Sequence, residues 1–422
     1  MKQERNIFFT FDRVLFAFAC VVLVCAFAWT PKKKVVFKKT SIVFAQWWEN
    51  EMENGALRRL IDEFEAENPA ITVRLETHDK DTIERMTRDA QAERTGQADV
   101  IALDGYWIPR LIKERYLYRL DDAVDFDIDE DNSAAESDKN SYDYKNFVYA
   151  DGKYAVPVVL FENLLFYNIP LLASANYDRP PKSREEFFDM CKKISSGNLG
   201  VYGYAFSDDV WTDCFPWIWQ AGIIMNKMPL LPGGGVQVPA FFKDRQARQE
   251  MVFLNQLNAE GLLLPFPFGF NGEEKIKAFS TGRVAMICAP VSAIKRLQAL
   301  NSSLDFNVTA IPPPSNYSGR PVFTVKSWFA GIPAESGNAG SAVVFLEFLN
   351  ANKAALAKAA GALSMEAESP PAQNSGRSEM YEKAKNLSAN AEIIEDYYIF
   401  DDISEAGSML IKEIRRDGKE AR

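Results

Sequence analysis

Histidine is almost missing from this chain: among 422 residues, His78 is the one copy. A Ser-His-Asp triad or a His-based metal centre has to be built on that imidazole. It sits among Glu76, Thr77, Asp79 and Lys80, a stretch that reads as a solvated strand end. Cysteine is also scarce. Cys20 and Cys25 fall in an apolar N-terminal run, and Cys191, Cys214 and Cys288 are far apart and odd in number. That is neither a disulfide framework nor a zinc spacing. No Lys/Arg stripe appears, and the net charge of -10 argues against a nucleic-acid partner. No internal repeat marks a solenoid. No cofactor is implied.

What is present is a long, aromatic-rich globular chain. Its length exceeds one core and fits two domains. Aromatic residues make up 13% and include eight Trp, more than cores alone call for, so exposed rings are worth seeking. At the N-terminus Lys2, Arg5 and Arg13 precede the apolar run Val14–Trp29, and Ala26-Phe27-Ala28 gives a small-x-small cleavage pattern. Residues 1–28 read as a secretory signal or an uncleaved membrane anchor. Residues 29–40, with Lys32–Lys34 and Lys38–Lys39, read as a basic tether to a membrane surface. Phe16-Ala17-Phe18-Ala19-Cys20 is only a loose lipoprotein box.

Beyond the leader, strands and helices alternate. Ser41–Ala45, Ile71–Glu76 and Asp99–Leu103 read as strands. Helices are expected over about Gly55–Glu67 and Thr82–Arg94, and from Pro109 to Glu114. Such alternation implies a parallel sheet covered by helices, with ligands bound beyond the carboxyl ends of the strands. Trp47, Trp48, Asp104, Tyr106 and Trp107 all follow strand ends. Gly152–Asn168, GKYAVPVVLFENLLFYN, is a mostly apolar run interrupted by Glu162 and Asn163. It reads either as a core strand with Glu162 at a bulge, or as a crossing between two lobes with Glu162 and Asn163 facing the cleft. Asp125–Ser141, Pro229–Pro239 and Ser364–Ser378 read as loops.

Taken together, several stretches resemble the extracytoplasmic solute-binding proteins of ABC transporters, specifically the sugar-binding family of the maltose-binding protein. SIVFAQWWENEMENGALRRLIDEFEAENPAITVRLE through ADVIALDGYWIPRLIKERYLYRLDD is similar to the first lobe of that family. The Gly152–Asn168 run is similar to its first crossing. AFSTGRVAM (Ala278–Met286) looks like the helix-to-strand return, and VKSWFAGIPAESGNAGSAVVFLEFL (Val325–Leu349) looks like the third crossing. The resemblance spans residues 41 to about 415. It implies an α/β type II periplasmic-binding fold of two lobes: 41–155 and the return segment 284–325 in lobe 1, and 156–283 and 326–422 in lobe 2. It also implies a monomeric, non-enzymatic receptor, exported to the periplasm or held at the outer face of the membrane, that hands a small solute to ABC permease subunits.

A sugar offers C–H faces to aromatic rings and hydroxyls to carboxylates and amides. The expected ligand-binding residues are Trp47, Trp48, Glu49, Asp104, Trp107, Glu162, Asn163, Trp211, Trp217 and Trp328. Adjacent residues point opposite ways, so one of Trp47 and Trp48 is expected in the cleft and one in the core. One of Trp217 and Trp219 is expected in the core. A phosphorylated ligand is disfavoured, because few basic residues other than Arg110 and Lys326 lie near these positions. Three other readings compete. Asp104 and Glu162 could be the two carboxylates of a glycoside hydrolase. The chain could be a membrane-tethered solute sensor. The acidic, aromatic cleft could also hold a cationic or peptide-like solute by charge and cation–π attraction.

Overall fold

The computed structural model describes residues 39–52, 55–93, 98–121, 152–197, 200–220, 243–265, 267, 270–317, 319–362, 375–389, 392–395 and 403–415. The proposed leader, most of the tether, the acidic loop 125–141, the loop 229–239 and most of 364–378 lie outside them. Among the described residues no helix is long and apolar enough to cross a membrane.

The chain opens with β1 (Thr40–Gln46), a short helix α1 (Trp48–Glu51), helix α2 (Ala56–Glu67), β2 (Ile71–Thr77), helix α3 (Lys80–Glu93), β3 (Val100–Asp104) and helix α4 (Ile108–Lys113). β1 pairs in parallel with both β2 and β3, as the alternation requires. Leu57, Leu60, Ile61 and Phe64 recur at helical spacing on α2 and are all buried, so this face covers the sheet. Phe44 and Phe64 both meet Phe345 edge-on, at 5.5 and 5.0 Å between centroids. Phe345 lies in the helix Ala339–Ala351.

Strand β4 (Ala155–Asn168) is buried at every position. Its first half, Ala155–Glu162, runs antiparallel to β8 (Val322–Gly331). Its second half, Asn163–Asn168, leaves β8 and runs antiparallel to β6 (Val284–Pro290), while β7 (Phe306–Thr309) pairs with Leu165–Asn168. Glu162 and Asn163 are thus the two residues at which one strand passes from one sheet to the other. The backbone path is that of a crossing, but Glu162 is fully buried rather than open to a cleft. Pro157 sits at a register shift between Pro157 and Val159, where its missing N–H costs no regular ladder bond. β5 (Tyr202–Ala205) extends the second sheet beside β6, and β9 (Glu392–Glu395) pairs with the start of β8.

β6 and β7 lie in the segment 284–325 assigned above to lobe 1, yet they hydrogen-bond to β4 and β5 in the second sheet. Conversely Trp328–Gly331, assigned to lobe 2, pairs with β3 of the first. A Gly-ended helix feeding an apolar strand looks the same in either lobe. Partner choice, which local pattern does not encode, decides the assignment. The joint itself forms as expected: helix Gly272–Ser280 starts with an Asn271/Glu274 capping box, and Gly282 turns the chain into β6 with φ at +72°.

The second sheet is backed by the helix Arg184–Gly197, where Ser183 accepts from the Glu186 N–H at 3.2 Å. Gly203 of β5 lies directly beneath it. A Cβ at this position would stand 2.4 Å from the Cys191 Cα. Gly203→Ala must push helix and sheet apart and is expected to cost roughly 2–3 kcal/mol, read by urea unfolding. A loss below measurement error would show that the helix is free to shift.

Candidate functional site

The parallel strands β1, β2 and β3 end side by side, and each delivers side chains to one rim. β1 ends in Gln46 and is followed by Trp47 and Trp48; β2 leads through His78 and Asp79 to Lys80; β3 ends in Asp104 and is followed by the 3-10 turn Gly105–Trp107. β8 comes antiparallel beside β3 and sets Trp328 opposite Asp104. From the second half come Asp209, just before helix Val210–Asp213, and Thr212 within it. Of these, Trp47, Lys80, Asp209, Thr212 and Trp328 line a cavity of about 610 Å³. Trp47, Phe161 and Trp328 give it ring surfaces; Lys80, Asp209 and Lys326 give it charges. It extends between α1 and the helices Gly272–Ser280 and Ala293–Leu300, where Glu51, Glu273 and Arg296 line it.

The rings form one cluster. Trp328 stacks on Trp48 with planes 8° apart and centroids 5.8 Å apart, and Phe161 meets it edge-on at 4.8 Å. Trp47 joins Trp48, Trp107 and Trp328 at 6.3, 5.6 and 6.1 Å. Trp47 lines the cavity, whereas Trp48 is fully buried against Phe44. Over the rings stands the Lys80 ammonium, 5.9 Å from the Trp47 centroid, 5.1 Å from Tyr106 and 5.7 Å from Trp107. It is ion-paired with Asp104, which is buried.

A second ion pair faces the first: Lys326 Nζ donates to Asp209 at 2.8 Å. Burial alone would raise the Asp209 pKa, but Lys326, and then Lys80 and Lys275, outweigh it and hold Asp209 well below the usual carboxylate range. Burial would likewise depress Lys80 and Lys326. The carboxylates Asp104 and Asp209 respectively overcome it and leave both ammoniums more basic than usual. The four charges therefore act on one another electrostatically. Deeper in, Lys275 is buried, pairs with Asp213 and donates to the Cys288 carbonyl at 2.8 Å. Desolvation pushes Asp213 up to about 6 against that attraction.

The remaining expected residues are placed differently. Trp107 packs beneath Lys80 as a cage wall. Glu49 accepts from the Thr77 hydroxyl at 2.5 Å and does not line the cavity. Trp211 stacks on Phe215 at 4.3 Å, and Trp217 donates its indole N–H to Tyr204 Oη at 3.1 Å inside the second core. Trp217 and Trp219 are both buried there, rather than one of them. Asn163 donates to Thr324 Oγ1 at 2.8 Å. Glu162 is fully buried, and neither carboxylate oxygen has a hydrogen-bond partner; desolvation pushes it up to about 8. Phe161 pairs with Lys326 on the cavity side, so strand alternation turns Glu162 to the opposite face.

Sequence reasoning missed Lys80 and Asp209 as site residues. Lys80 carried a usable signal, since it follows a strand end as Trp47 and Trp107 do. Its polar neighbours made it look solvated. Asp209 had no such mark.

The sequence matches the family described as bacterial extracellular solute-binding protein over residues 48–356. Among solved structures, the fold is similar to the GacH receptor of Streptomyces glaucescens, determined unliganded and with acarbose. That match has a TM-score of 0.66 and 18% identity, covering 90% of this chain and 94% of that one. UgpB from Mycobacterium tuberculosis in complex with glycerophosphocholine matches at a TM-score of 0.65 and 18% identity, covering 91% and 94%. Maltose-bound MalE3 of T. maritima matches at 0.64 and 18%, covering 90% and 95%. These neighbours share the type II periplasmic-binding fold, and they are binding proteins rather than enzymes. The hydrolase roles considered for Asp104 and Glu162 have no footing in the geometry either: Asp104 is ion-paired and Glu162 lies off the cavity.

Proposed function

Because the chain belongs to the bacterial extracellular solute-binding protein family, we propose that it is the solute receptor of an ABC importer and binds a sugar or oligosaccharide in this cavity. The observation that carries the reading is the joint presence of ring surfaces and hydrogen-bonding charges around one cavity of about 610 Å³. That size suits a small ligand. Trp47, Phe161 and Trp328 offer faces for sugar C–H groups. Lys80, Asp209 and Lys326 offer donors and acceptors for hydroxyls.

In this proposal the two halves close on the ligand about the crossing of β4 and β8, and permease subunits recognise the closed, monomeric form. Residues 1–28 export the chain or anchor it at the outer face of the membrane, and 29–40 tether it. The supporting feature is the basic and apolar pattern of that segment.

A thermal-shift screen of the full chain against sugars, polyols, amino acids and polyamines tests the reading. A sugar at 100 times its dissociation constant should stabilise the folded state by about 2.7 kcal/mol. A flat response to every sugar and polyol would remove carbohydrate as the ligand class.

A further inference from the structure

The pocket of Trp47, Tyr106 and Trp107 is built for a positive charge. Three ring centroids lie within 6 Å of one nitrogen, and that nitrogen is the Lys80 ammonium. Ring faces attract cations through their quadrupole, and more strongly where water is excluded. Trp47 and Trp107 are 3% and 2% exposed, and the counter-ion Asp104 is 1% exposed. A neutral sugar asks for a ring face and hydrogen-bonding groups, not for a desolvated carboxylate beneath a cage. The Trp107 indole N–H is buried without an acceptor, a donor still available at the cage wall.

Lys80 is placed so that it can leave. It is the first residue of α3, its side chain is 28% exposed, and it lines the cavity. Its four-carbon stem is flexible. A second carboxylate, Asp209, already feels its charge from the other side of the cavity. Turning from Asp104 to Asp209 would trade that pair for a share of the carboxylate that Lys326 already holds.

We propose that the cage is a ligand subsite for an ammonium group. The solute's cation takes the place of Lys80 Nζ between Trp47, Tyr106, Trp107 and Asp104, and Lys80 turns to Asp209. This rests on the receptor reading above and narrows its ligand to a polyhydroxylated or similarly small solute that carries a positive group. The chain's own lysine holds the cage until such a solute arrives, so a neutral solute has to leave Lys80 where it is.

The test titrates the full chain, K80Q and D104N with choline, glucosamine and N-acetylglucosamine, followed by tryptophan fluorescence and calorimetry. Wild type is expected to bind choline or glucosamine, and N-acetylglucosamine on the order of tenfold more weakly. K80Q lacks the internal competitor and should bind choline on the order of tenfold more tightly than wild type; D104N should lose it. Choline binding alone assigns a quaternary head, and glucosamine alone an amino sugar. K80Q removes the ion-pair partner of Asp104, so the double variant K80Q/D104N serves as the folding control and should not bind choline. If neutral sugars bind wild type while neither cation binds wild type or K80Q, the cage proposal is overturned and the receptor reading stands. If no sugar, polyol or cation binds, both fall together.

Discussion

Glu162→Gln is expected to make the protein more stable relative to wild type as the pH rises. The Glu162 carboxyl is buried at the crossing with no hydrogen-bond partner, and desolvation pushes it up to about 8. An unfolded chain releases this proton near pH 4.3. Between those values the folded chain holds a proton that the unfolded chain has lost. The contribution of this group to stability is therefore complete below pH ~4.3 and falls until the pH passes about 8. The full loss is about 5 kcal/mol by linkage, an upper figure for a group with some freedom to relax. Gln has no such titration. Urea unfolding of the pair at pH 4.5, 6.5 and 8.5 should show a gap that widens steadily with pH. A constant gap would mean that Glu162 ionises as an ordinary carboxylate in the folded chain. Comparing slopes rather than single values cancels any fixed cost of the amide.

Trp328→Ala should damage both binding and stability. This ring stacks on Trp48, meets Trp47 and Phe161 edge-on, and forms part of the cavity wall. Truncating a buried Trp typically costs about 3–5 kcal/mol. Here the void would open onto the cavity, so the ligand would also lose a ring. A ligand found in the thermal-shift screen is expected to lose affinity on the order of 100-fold or more. Trp328→Phe keeps a smaller ring and separates the two effects: most of the stability should return while binding stays about tenfold weaker. Unchanged affinity in a folded Trp328→Ala protein would take this ring out of the site.

Local position accounts for the residues that sequence reasoning brought to the rim. Trp47, Asp104 and Trp107 follow strand ends, and parallel strands bring such ends to one rim. The Gly152–Asn168 run announced itself because a polar pair inside an apolar stretch is costly. Local position also misled. Trp211 and Trp217 looked like stacking rings, but the short helices of 210–220 turn them into the second core, where Tyr204 and Phe215 meet them. Glu162 looked like a cleft residue until pairing with β8 fixed its face. Asp209 and Lys326 matter because tertiary folding brings them to Lys80 and Asp104, and nothing in a 117-residue separation hints at their pairing. The sheet to which β6 and β7 belong was likewise a question of partner choice rather than of pattern.

Strand β4 gives the two sheets a common fate. Half its ladder holds β8 and the other half holds β6 and β7, on a single unbroken strand of 14 residues. Neither sheet can unravel at this seam without freeing buried polar backbone in the other. In the closure proposed above, the movement would be taken up as a twist between Glu162 and Asn163, with the pairing on either side kept. The same strand would thus serve as the axle on which the halves turn and as the tie that makes them fold and fail together.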